Sequence, residues 1–138
     1  MKSDERLPLA LFLLRLSVFV VMFVWTLDKF VNTAHAIKVY ERFYSIGGLG
    51  DAAFYVIGAI ELLVIAGFVL GYKKRWTYGA VLSFHAISTL FSYQQYLAPF
   101  ARGNLFFFAP WPMLAACFAL YYLRDLDTKW AIDKQHLP

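Results

Sequence analysis

Four places in the sequence put ionisable side chains in or against long apolar runs: Arg15, the Asp28–Lys29 pair, Glu61 and His85. A charge at the centre of a bilayer costs about 2.5–3.5 kcal/mol on insertion scales, so such groups face other protein and have partners. Glu61 sits near the middle of "YVIGAIELLVIAGFVLGYKKRW" (Tyr55–Trp76), and His85 sits near the middle of the next apolar run. At a rise of about 1.5 Å per residue, each lies within about 3 Å of the centre of its own helix. The two helices are neighbours across the short KKR turn, so the expectation is a Glu61–His85 hydrogen bond in which each group's ionisation depends on the other. On the same reckoning Arg15 stands about 6 Å to the cytoplasmic side of the centre of the first run, with a stem long enough to snorkel inward to that interface. Lys29 stands roughly 14 Å to the other side, within reach of the pair.

Two roles fit these residues. In one, Glu61, His85 and Lys29 line a polar pocket for a small polar-headed ligand or a proton step. In the other they fix the helix arrangement without chemistry. The aromatics around Tyr93, Tyr96, Phe100, Phe106–Phe108 and Trp111 read either as an interfacial belt or as the wall of a cavity over Glu61 and His85. A planar quinone-like ring stacks well on such a wall.

Other chemistries are excluded. The single cysteine, Cys117, rules out an internal dithiol. His35, His85 and His136 belong to three different levels, so they cannot converge on one metal or supply two axial haem ligands. There is no Gly-rich phosphate loop and no Ser–His–Asp arrangement.

The elements that must position these residues follow from composition. At 61% hydrophobic and 16% charged, the chain is far more apolar than a soluble domain, which runs about 45–50% apolar and about 25% charged. Four apolar blocks, at about 7–30, 53–70, 76–97 and 105–123, each approach the roughly 20 residues that cross a bilayer. The first has no cleavage signature and reads as a retained span. Lys73, Lys74 and Arg75, with Lys2 and Arg6 in the head and Arg124, Lys129 and Lys134 in the tail, predict that both termini and the KKR turn are cytoplasmic. The net charge of +4 follows from this bias and suits anionic headgroups, not nucleic acid. In the one long loop, Ile37, Tyr40, Phe43, Tyr44 and Ile46 recur at helical spacing before Gly47–Gly48, predicting a short interfacial helix. Small residues on the second block, Gly58, Ala59, Ala66 and Gly67, would permit close helix contacts. The reading is a single all-α domain, residues 1–138, forming an up-down-up-down four-helix membrane bundle.

The segments "LLRLSVFVVMFVWTLDKF", "IGAIELLVIAGFVLG" with its basic turn, and "ALYYLRDLD" together resemble the DoxX-like family of small four-helix membrane proteins, over about Leu13 to Asp127. Arg15, Lys29–Phe30 and the Gly58–Glu61 spacing carry the resemblance in order. It implies the fold, Arg15, Lys29 and Glu61 as the family's polar positions, and a bacterial inner-membrane location. It also implies a subunit of a redox-related assembly, an oxidoreductase subunit if it belongs to an enzyme. The residues themselves add His85, Trp111 and Tyr93 to Glu61, Lys29 and Arg15 as a ligand site, with a quinone as the group it would hold, although His85 and the aromatic fourth span have no counterpart in the family. Two further readings stand beside it: a structural or assembly protein engaging partner subunits, and an oligomeric small-molecule or ion carrier.

Overall fold

The computed structural model describes residues 3–133; Lys2, Lys134 and His136, assigned above to the head and tail, lie outside them. The regular elements are α1 (Ser3–Val31), α2 (Thr33–Tyr44), α3 (Asp51–Val69), α4 (Lys74–Phe91), α5 (Tyr93–Leu97) and α6 (Pro110–Tyr122). Single 3-10 helices span Asn104–Phe108 and Arg124–Leu126. Among the described residues every regular element is helical.

Three stretches, Asp4–Val31, Asp51–Val69 and Asn104–Tyr122, are long and apolar enough to cross a membrane. They mark an integral membrane protein, and exposed Leu13, Val24, Val56, Leu63 and Phe118 present its apolar surface to lipid. The run expected at 76–97 is different. It breaks at Ser92 into α4 and the short α5, and Lys74, Arg75, Thr77, Ser83, Ser88 and Thr89 make it the most polar of the four. Those polar groups are partly turned inward. α4 buries Lys74, Tyr78, Val81, His85 and Thr89, at the three-and-four spacing of one helix face. α1 buries an equally mixed stripe of Leu11, Arg15, Val18, Met22, Thr26 and Lys29.

α1 packs on α3 and α6, and α4 packs on the same two helices. Between them lies an apolar core of Leu11, Val18, Met22, Ile65, Phe68, Tyr78, Val81, Cys117 and Leu120. Two of the small residues on α3 do bring helices together. The edge of the Phe30 ring sits against Gly58, where a Cβ would stand 2.6 Å from it, and Thr77 leaves only 2.8 Å at Gly67. Ala59 and Ala66 instead face outward.

The two ends are closed differently. At one, the segment after α6 folds back: the Ile132 and Asp133 amides donate to the carbonyls of Leu70 (2.8 Å) and Gly71 (2.9 Å). Gly71 is required twice over, because its φ is +64° and any Cβ would meet Ala131 at 2.6 Å. At the other end α2 turns back over the helices after Asn32, setting Tyr40 on Phe54, Phe43 by Phe107 and Tyr44 by Phe91. It stops earlier than the Gly47–Gly48 pair implied. Ser45 takes the left-handed conformation and the Ile46 amide closes on the Tyr40 carbonyl, so Ile46 lies beyond the helix.

Candidate functional site

The charged site at the α2 end is built by one turn of α1 against one turn of α3. Thr26 and Lys29, three residues apart, share a face of α1, and the close approach at Gly58 brings that face within reach of Glu61. Lys29 Nζ lies 3.0 Å from Glu61 Oε2, and Thr26 Oγ1 donates to the same oxygen at 3.1 Å. Tyr40 of α2 covers the pair, its ring centroid 5.7 Å from Lys29 Nζ. Burial, then the Glu61 carboxylate and Tyr44, push the Tyr40 phenol up to about 12. The cover is incomplete: the side chains of Lys29 and Glu61 keep 11% and 18% exposure, and an ammonium has three N–H donors of which Glu61 occupies one.

His85 does not pair with Glu61. Its Nε2 lies 2.9 Å from the Pro110 carbonyl at the start of α6. A carbonyl only accepts, so Nε2 carries the hydrogen of this bond. Nδ1 is buried and has no hydrogen-bond partner. The two side chains are turned to different partners. Consecutive α1 residues, about 100° apart on the helix, sort the two groups: Trp25 stacks toward His85 (centroids 6.2 Å apart), while Thr26 meets Glu61. The indole of Trp25 is 46% exposed, so it stands between His85 and the surroundings.

Arg15 corrects a second expectation. It does not snorkel; it is fully buried at the other end. Its Nη1 lies 3.0 Å from Asp127 Oδ2 and donates to Tyr78 Oη at 3.1 Å, and Tyr78 in turn donates to Asp127 Oδ2 at 2.6 Å. Nη2 donates to the carbonyls of Lys129 (2.6 Å) and Trp130 (3.1 Å). Lys74 Nζ completes the cluster on the carbonyls of Asp127 (2.6 Å) and Arg124 (3.1 Å). Asp127, Tyr78 and Lys74 were missed from sequence. The available signal was position: Lys74, Tyr78 and His85 fall on one face of α4.

Trp111 and Tyr93 are not gathered onto the Lys29–Glu61 pair. Both are exposed; Trp111 leans on Tyr96 (5.6 Å between centroids), and Tyr93 Oη accepts from Gln94. Tyr96 belongs to the polypeptide framework, donating to the Thr89 carbonyl at 2.7 Å. Of the expected ligand set, the structure therefore joins Lys29 to Glu61, places His85 behind Trp25, sends Arg15 to the tail and leaves Trp111 and Tyr93 at the surface. Comparison with protein-family models, with curated proteins and with solved structures returns no match.

Proposed function

We propose that the chain is a DoxX-like membrane subunit of a redox-related assembly in a bacterial inner membrane, with the Lys29–Glu61 pair as its binding site for a quinone or similar polar-headed ligand. In this reading α1, α3, α4 and the 104–122 stretch are four antiparallel spans, the termini are cytoplasmic, and α2 lies in the outer interface above the site. The observation that carries it is the partly covered Lys29–Glu61–Thr26 cluster beneath Tyr40. An ammonium with donors to spare, set among apolar walls, suits a ligand with an oxygen acceptor and a hydrophobic body.

A structural reading has its own support, since the same pair bonds α1 to α3 with no ligand needed. Lys29→Gln separates the two. A ligand site predicts that binding of a short-tailed benzoquinone to the purified protein weakens by about 10- to 100-fold, the worth of the charged hydrogen bond of about 1.5–3 kcal/mol that Lys29 gives a quinone oxygen, with the unfolding midpoint in detergent little changed because the Gln amide still donates to Glu61. Unchanged binding with a lowered midpoint refutes the ligand site and leaves the structural role.

A further inference from the structure

The folded-back tail has a surface that the buried cage does not explain. Its hydrogen bonds from Ile132 to Leu70 and from Asp133 to Gly71 lay residues 129–133 beside the turn between α3 and α4, at the level where the apolar stretches end at Val69 and Tyr122. Turn and tail each set an ammonium beside an exposed ring. On the turn, Lys73 Nζ stands 5.6 Å from the centroid of Tyr72, and Trp76 close by is 73% exposed. On the tail, Lys129 Nζ stands 5.8 Å from the centroid of Trp130, which meets Phe12 of α1 edge-on at 5.0 Å and is still 75% exposed. Rings and long-stemmed ammoniums mixed at the end of a span suit the headgroup layer, where the ring beds among acyl chains and the charge reaches the phosphate. Charge then selects the lipid. Arg15, Lys74 and Asp127 are spent inside the cage, and outside it exposed Lys73, Arg75 and Lys129 outnumber Asp125 and Asp133. At the opposite end Lys38, Arg42 and Arg102 are balanced by Asp28, Glu41 and Asp51.

We infer that the α3–α4 turn and the folded-back tail form one docking surface for an anionic bilayer leaflet, and that lipid seated there holds the buried cage shut. The coupling runs through the backbone of two residues. Lys129 and Trp130 turn their side chains to the headgroups while their carbonyls accept from the buried Arg15 Nη2 at 2.6 and 3.1 Å. Seating those side chains fixes the two carbonyls that Arg15 needs, and it opposes relaxation of Trp130 from its left-handed φ of 47°. An uncharged leaflet offers the indole the same bed but gives Lys73, Arg75 and Lys129 no net counter-charge. The inference stands on the turn and the tail, independently of what Lys29 and Glu61 hold.

The full chain is reconstituted into nanodiscs of phosphatidylcholine alone and of phosphatidylcholine mixed equally with phosphatidylglycerol, and cleavage within 124–133 by proteinase K is timed in each. The expected result is cleavage at least about fivefold slower in the anionic discs, the worth of a single cation at an anionic surface, with the difference fading at high salt. A double variant, Lys73→Gln with Lys129→Gln, keeps every backbone carbonyl of the cage. It should lose the anionic advantage while matching the unaltered protein in neutral discs. In a protein carrying Trp25→Phe, Trp76→Phe and Trp111→Phe, the fluorescence of Trp130 should be quenched more by bromine-labelled phosphatidylglycerol than by bromine-labelled phosphatidylcholine at the same fraction. Equal cleavage in the two kinds of disc overturns the inference, and so does an anionic advantage that survives the double variant. Equal protection by inorganic phosphate in neutral discs assigns the surface to a free anion and overturns docking on the leaflet. Should the tryptophan variant not fold, the cleavage comparison in the unaltered protein decides the matter alone.

Discussion

Asp127→Ala tests whether the C-terminal segment is a structural lock. The carboxylate and the Arg15 guanidinium are both fully buried at 3.0 Å, so removing the acid leaves an uncompensated buried cation. Breaking such a pair by deleting one partner costs about 3–5 kcal/mol. The Tyr78 hydroxyl also loses the acceptor it reaches at 2.6 Å, worth about 1 kcal/mol more. A cost of that size is a large part of the roughly 5–15 kcal/mol that holds an ordinary domain together, so the variant should unfold early or release its tail. The assay is a double-mutant cycle of Asp127→Ala and Arg15→Met in mixed micelles, with unfolding by SDS followed by circular dichroism. The double variant, which removes both members of the ion pair and so leaves neither unpaired, should recover at least half of the single-variant loss, giving a coupling of about 2 kcal/mol or more. An Asp127→Ala cost below about 1 kcal/mol, the value of an exposed ion pair, or strictly additive single effects, would refute the buried-pair account.

Two further outcomes are expected. Gly71→Ala forces a Cβ into a backbone at φ +64° and to within 2.6 Å of Ala131, so it should lift the tail from the α3–α4 turn, cost more than about 1 kcal/mol and speed limited proteolysis within 124–133. Tyr40 has a folded-state pKa of about 12 against 10.0 for an ordinary phenol. The unfolded chain therefore loses this proton first, and the contribution to stability that is complete below pH 10 falls as pH rises toward 12. Tyr40→Phe should flatten that decline in alkaline unfolding curves, and an unchanged slope would show that the phenol is not buried against Lys29 and Glu61.

The helices were legible because apolar length is a local property: residues 4–31, 51–69 and 104–122 carry it in their own sequence. How the helices are offset along their axes was not legible: Glu61, counted to the middle of its own run, meets Thr26 and Lys29 near the end of α1. Nor was azimuth. Whether Glu61 meets His85 or Lys29 depends on how α1, α3 and α4 are rotated about their axes, and that is set by contacts such as Phe30 on Gly58, which join residues far apart in the chain. Arg15 was misread for a related reason. Its partner Asp127 lies in a polar tail with no apolar pattern to mark it as buried, and only the fold-back at Leu70 and Gly71 brings it beside α1. The stop of α2 at Ser45, before the glycines, shows a non-glycine residue taking the left-handed position that the sequence pattern assigned to Gly47–Gly48.

The buried charged groups among the described residues fall into two clusters on either side of the apolar core, and their degree of closure differs. At the tail end Arg15 and Asp127 have no exposure, and the chain bends to serve them. Trp130, a bulky residue at φ 47°, holds a conformation costing about 1–3 kcal/mol while its carbonyl accepts from Arg15. Backbone strain accepted to complete a hydrogen-bond cage is what a permanent lock requires. At the α2 end Lys29 and Glu61 keep some exposure, the covering helix contributes a tyrosine ring in place of a second carboxylate, and His85 nearby keeps an unpaired nitrogen. The same chain thus satisfies its buried charges closely at one end and leaves donors and an acceptor unspent at the other. That asymmetry is why the ligand site is proposed at Lys29 and Glu61, and the structural role at Arg15.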